Sequence, residues 1–158
     1  NGSKIINCDG AIAFSGGKVT GVASGTVTAD ETAAGGIKCN GNLNISGGEI
    51  AIECNGKGSK GINCNADVTI GGGETTLIAT GDNYTEIADD KKSRGITAGS
   101  ITVNGGKVVA DAHDNALNAI TGITITGGAV NAYSTTGYAL NLDATQTGGW
   151  LLYKESKE

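Results

Sequence analysis

The segment GIKCNGNLNISGGEIAI, residues 36–52, carries the pattern on which the reading of the whole chain rests. Apolar side chains stand at Ile37 and Cys39, at Leu43 and Ile45, and at Ile50 and Ile52, each pair two residues apart. Period two is that of a β-strand, whose successive side chains point to opposite faces. Asn40-Gly41 and Gly47-Gly48 separate the pairs, and such residues mark turns. The segment reads as three short strands.

The unit recurs along the chain. Glycine doublets begin at positions 16, 47, 72, 105, 127 and 148, with spacings of 31, 25, 33, 22 and 21 residues. A basic unit of 21–22 residues with insertions fits these spacings. Apolar pairs precede each of the first five doublets: Ile12/Phe14, Leu43/Ile45, Val68/Ile70, Ile101/Val103 and Ile123/Ile125. A further strand precedes these, at Ile6/Cys8, Ile37/Cys39, Ile62/Cys64, Ile96/Ala98, Leu117/Ala119 and Leu140/Leu142. Equivalent positions recur in the same order and direction. Parallel stacking satisfies that order, whereas hairpins reverse neighbouring strands.

The sequence therefore predicts an all-β fold, a right-handed single-stranded parallel β-helix (a solenoid) of about six coils of three short strands. The glycine doublets are assigned to coil corners, where positive φ or close backbone approach favours glycine. The 158 residues contain 28 glycines and no proline. Proline would remove a ladder donor from any stacked strand. Residues 1–158 are expected to form a single domain, an excised part of a longer secreted protein, since Asn1 opens the chain. Residues 150–158, which include Trp150, Leu151, Leu152 and Tyr153, are expected to cap the last coil.

Eleven basic against 16 acidic residues give a net charge of -5, which argues against a nucleic-acid partner. No apolar run approaches the ~20 residues of a membrane span, so insertion is not expected. Cys8, Cys39 and Cys64 fall in one inward column. They read as buried thiols acting as small hydrophobes, with neighbouring pairs within reach of a disulfide. His113, the only histidine, lies between Asp111 and Asp114 and reads as a surface residue.

Two loops carry the charge that could do chemistry. The insertion TGDNYTEIADD, residues 80–90, places Asp82, Asn83, Glu86, Asp89 and Asp90 within nine residues. Several oxygen donors in a flexible loop suit calcium. Five of the 11 basic residues are Lys57, Lys60, Lys91, Lys92 and Arg94. Lys60 precedes Gly61-Ile62 and Arg94 precedes Gly95-Ile96, so the two are expected to stack at one corner. This positive strip could receive carboxylated sugars, with Tyr84 placed to stack on a ring. Glu49 and Glu74, flanked by Lys18 and Lys107, read as a surface charge ladder.

GIKCNGNLNISGGEIAI, KGINCNADVTIGGGETTLIATG, RGITAGSITVNGGKVVADA and NALNAITGITITGGAVNAYSTTGYAL together resemble the bacterial carbohydrate-binding β-helix domains. That family is typified by a clostridial cellulose- and acid-sugar-binding protein and is similar in shape to pectate lyases. The likeness runs from Ile5 to about Gly149. It implies a secreted or cell-surface domain that binds polysaccharide, often with calcium. Family coils often carry Asp-Asp before Gly-Ile or Ala-Ile, and here only Asp114-Asn115 approximates that pair.

The expected function is non-catalytic binding of plant cell-wall or acidic glycans. A structural or adhesin stalk of a bacterial cell surface is the alternative, and a polysaccharide lyase the second. A lyase would need calcium and a lysine or arginine base, and acidic and basic loop residues both exist near Asp89–Arg94.

Overall fold

The computed structural model describes residues 2–28, 32–86 and 91–156. Eleven strands order them. They are β1 (Lys4–Cys8), β2 (Ile12–Ala23), β3 (Gly35–Cys39), β4 (Leu43–Cys54), β5 (Lys60–Cys64), β6 (Val68–Ile70), β7 (Glu74–Ala79), β8 (Arg94–Ala112), β9 (Leu117–Ser134), β10 (Ala144–Gln146) and β11 (Trp150–Lys154). Every ladder between named strands is parallel. Among the described residues, no helix is long and apolar enough to cross a membrane.

The chain is all-β, but the connectivity corrects the expected architecture. All 11 strands join one sheet, with the path β1-β3-β5-β8-β6-β4-β2. Because β7 pairs with both β4 and β8, the strands β4, β6, β8 and β7 close into a four-strand parallel ring, with the remaining strands outside it. This is not a single-stranded right-handed β-helix built from coils of three short strands.

The reason lies at the glycine doublets. Gly16-Gly17, Gly47-Gly48, Gly105-Gly106 and Gly127-Gly128 do not end a strand; they lie inside β2, β4, β8 and β9, which run for 12, 12, 19 and 18 residues. The ladder shifts register at the doublet instead, as between Ser15 and Lys18 against β4. A bulge accommodates such a shift while the strand continues. Gly48 shows the cost of any other residue. Its φ is 87°, and an added Cβ would stand 2.8 Å from Gly17 O. A strand that survives its glycines joins two ladders, which a reading of short separate strands does not anticipate.

The inward rows are as period two requires. Ile37 pairs with Ile62 and Ile62 with Ile96, and Ile96 with Leu117. All four are buried, as are Leu43, Ile45, Ile50 and Ile52. Fully burying side chains of this size contributes roughly 1.5–3 kcal/mol each. At the last strand, Leu151 packs against the core while Trp150 is 79% exposed.

The outward charge ladder also forms. Lys18 pairs with Glu49, Glu49 with Glu74 and Glu74 with Lys107. Lys18 Nζ lies 2.8 Å from Glu49 Oε1 and Lys107 Nζ 2.6 Å from Glu74 Oε1. Each carboxylate thus faces one lysine across the ladder, which offsets repulsion between the two glutamates.

Candidate functional site, a basic cleft

The starts of the first-row strands place four residues in register. Lys4 pairs with Gly35, Gly35 with Lys60 and Lys60 with Arg94. A cleft of about 650 Å³ opens beside them, lined by Lys4, Lys38, Lys60, Lys91, Lys92 and Arg94 together with neutral residues from Thr32 to Gly35, Ile37, Gly58 and Asn63. Six of the chain's 11 basic residues therefore face one concavity of a protein whose net charge is -5. Among the described residues no carboxylate lines it.

Backbone contacts bring the loop lysines to this cleft. Tyr84 and Lys91 exchange two N–H···O bonds of 2.9 Å in an antiparallel bridge. Gly58 N donates to Asp82 O at 2.8 Å, Ser93 Oγ to the same carbonyl at 3.0 Å, and Ser93 N to Asn83 Oδ1 at 3.0 Å. Gly58 has φ 68°, and a Cβ there would lie 2.6 Å from Lys91 Cβ. Only glycine lets the two loops approach this closely.

The cations are held in distinct ways. Lys4 Nζ donates to Gly2 O at 2.9 Å and to Ala33 O. Burial, and then the charge of Lys38, push the Lys4 ammonium below its usual range. Lys38 Nζ donates to Asn65 Oδ1 at 2.6 Å and Asn40 Oδ1 at 3.0 Å. These partners are neutral, so they orient the ammonium without cancelling its charge. Arg94 Nε donates to Asp114 Oδ2 at 2.9 Å, the side chains being 24% and 17% exposed. That pair offsets the Arg94 charge and fixes the guanidinium plane.

Lys60, Lys91, Lys92 and Arg94 are thus brought together as the sequence suggested. Lys57 is exposed and Tyr84 half-buried, and neither lines the cleft. Lys4 and Lys38 were missed. Lys4 had a visible signal, since Lys4-x-Ile6 has the form of Lys60-x-Ile62 and Arg94-x-Ile96.

The calcium candidates divide. Asp89 and Asp90 lie outside the described residues. Asp82 and Glu86 are exposed, and Asn83 Oδ1 already accepts from Ser93 N. Among the described residues no three histidine, cysteine, aspartate or glutamate side chains converge, so calcium at this loop would have to draw on Asp89 and Asp90. His113 is mostly covered, with Nδ1 3.9 Å from Asp82 Oδ1. Asp114 and Asn115, the nearest match to the family's acidic pair, serve the fold. Besides the Arg94 pair, Asn115 Nδ2 donates to Tyr138 O at 3.1 Å.

A second cleft, of about 500 Å³, lies towards the C-terminal strands. Tyr138, Leu142, Asp143, Tyr153 and Glu155 are among its lining residues. It contains no basic side chain among the described residues, so the two concavities differ in sign of charge.

A protein-family model described as carbohydrate-binding domain-containing protein matches residues 6–139. The match spans most of the chain, and the chain belongs to this family of carbohydrate-binding domains. No curated protein and no solved structure matches it, so neither comparison bears out the expected likeness in shape to pectate lyases.

Proposed function

We propose that the carbohydrate bound by this domain is an acidic polysaccharide of the plant cell-wall type, held in the basic cleft without catalysis. The observation that carries the reading is the convergence of six cationic side chains on one concavity in an acidic chain. Successive uronate carboxylates would meet ammonium groups spaced along the strand starts. A repeated polyanion gains from such an array more than a single sugar does, because each engaged residue brings the next carboxylate close.

Such a polysaccharide is met outside the cell, so the reading carries with it a secreted or cell-surface location. Calcium extends it. Asp82, Asn83 and Glu86, joined by Asp89 and Asp90, would supply oxygen donors next to Lys91 and Lys92. Titration with calcium, repeated on Asp89→Asn with Asp90→Asn, checks this; heat uptake unaffected by the double change would refute it.

Binding to polygalacturonate and to cellulose, compared in affinity gels, tests the main reading. Retardation by polygalacturonate and little by cellulose is expected. Equal retardation by both would remove the role of charge. A rise in unsaturated-uronate absorbance on mixing with pectate would replace binding by lyase activity.

A further inference from the structure

Cys8, Cys39 and Cys64 lie on the inner row of β1, β3 and β5. Cys8 is the direct parallel partner of Cys39, and Cys39 of Cys64. Neighbouring strands stand about 4.8 Å apart, within the roughly 4.4–6.8 Å between Cα atoms that a disulfide spans. Side chains of in-register parallel partners leave the backbone in the same direction. The sulfurs are already in contact: Cys39 Sγ donates to Cys64 Sγ at 3.1 Å. All three are free thiols, Cys39 and Cys64 buried and Cys8 partly accessible.

We propose that this row is a disulfide-forming site, in which Cys39 and Cys64 close a buried disulfide and Cys8 is the point at which a small disulfide oxidant enters. The inference is independent of any carbohydrate ligand.

The step balances as two successive exchanges and a transfer. The Cys8 thiolate attacks a small disulfide RSSR, forming a mixed disulfide and releasing one RS⁻. The Cys39 sulfur, losing its proton, attacks Cys8 Sγ and expels the second RS⁻. Cys64, also losing its proton, then attacks Cys39 Sγ and returns Cys8 as a thiolate. Two protein thiols are oxidised to one disulfide, and RSSR is reduced to two RSH once the released thiolates take up protons.

Access explains the order. Cys39 and Cys64 are 0% and 3% exposed, so an external disulfide cannot reach them in line. Burial, and then the contact with Cys64, push the Cys39 thiol up to about 12, so its attack relies on a disulfide held beside it on Cys8, its partner in register, and not on one arriving from solution. Cys8 Sγ sits on the outer strand of the row, donating to Ala11 O at 3.8 Å and accepting from Gly10 N at 3.4 Å. Cys54 stands apart. It pairs with Ala23, and its Sγ donates to Lys60 O at 3.4 Å, so it remains a thiol throughout and serves as an internal control.

The test equilibrates the folded chain with oxidised glutathione, quenches in acid, alkylates under denaturing conditions and maps the peptides by mass. The expected result is that two of the four thiols are protected and the bond joins Cys39 to Cys64. Cys8→Ser should slow its formation by roughly tenfold while leaving the same product, since direct attack on a buried thiol is slow. Cys39→Ala, which installs the residue found at Ala98 in the same row, should leave Cys64 reduced, with circular dichroism reporting that the fold persists. Four alkylable thiols after equilibration, or a bond mapped to Cys8–Cys39, would overturn the disulfide assignment. An unchanged rate in Cys8→Ser would overturn the entry role.

Discussion

Lys60 and Arg94 are direct parallel partners on β5 and β8, and both face the same cleft. Neighbouring strands are about 4.8 Å apart, so the register sets two cations almost one above the other. Asp114 holds Arg94 at 2.9 Å. Lys4, Lys38, Lys91 and Lys92 line the same cleft, where a polyanionic ligand would meet them together.

Removing one of these charges should weaken that ligand selectively. Lys60→Ala and Lys92→Ala are each expected to lower affinity for polygalacturonate by about three- to tenfold, the worth of one charge-assisted contact in a partly exposed site. Lys57→Ala makes the same change in net charge outside the cleft and should leave affinity unaltered. Calorimetric titration of the three variants decides the matter. An equal loss in Lys57→Ala would mean that net charge, and not the cleft, governs binding.

Asp114 should trade stability against affinity. Asp114→Asn leaves Arg94 half-buried without its carboxylate, which is expected to cost about 1–2 kcal/mol. The cleft gains one uncompensated positive charge, so polygalacturonate should bind more tightly. Urea unfolding and the same titration read both effects. A loss of affinity would show that Asp114 instead positions Arg94 for the ligand.

Thr75 is a polar residue in an apolar row. It lies between Ile50 and Val108 in register, is fully buried, and its Oγ1 has no hydrogen-bond partner among the described residues. Valine has nearly the same shape. Thr75→Val should stabilise the fold by about 1 kcal/mol by removing the unsatisfied hydroxyl. Thermal or urea unfolding measures it, and a destabilisation would reveal a partner for that hydroxyl.

Asp111 should make stability depend on pH in the acid range. It stands between Ile78 and Tyr133 in register, and burial raises its carboxyl above the ordinary 3.8. The folded chain thus keeps this proton to a higher pH than the unfolded chain. The group's favourable contribution is complete below 3.8 and is lost as pH rises through the raised folded value. Asp111→Asn should therefore be more stable than the parent near neutrality, with the difference shrinking as pH falls towards 3.8. Unfolding midpoints of the two proteins across that range check the sign. A constant difference would show that titration is not its source.

What the sequence disclosed follows from what repeats. Ile37, Ile62, Ile96 and Leu117 were legible as one row because period two and the recurring order fix which side chains face inward. Glu49 and Glu74 keep a constant offset from their doublets, so the ladder with Lys18 and Lys107 is legible in the sequence. Gly47-Gly48 misled because positive φ serves a corner and a bulge equally well, and the chain here continues through it as one strand. That single ambiguity changed the architecture from separate short strands to long shared ones. Within the cleft, Lys60 and Arg94 were visible through their equivalent places. Lys38 was not, because it is an outward residue beside Ile37 whose neighbours in register, Asn7 and Asn63, carry no charge.

The salt dependence of polygalacturonate binding tests the central claim most directly. If the cleft binds a polyanion by charge, affinity should fall steeply as salt rises from about 0.01 M to about 1 M, where the screening length shrinks from roughly 30 Å to roughly 3 Å. Lys60→Ala should flatten that dependence. Binding that is indifferent to salt, or no binding at low salt, would contradict the account.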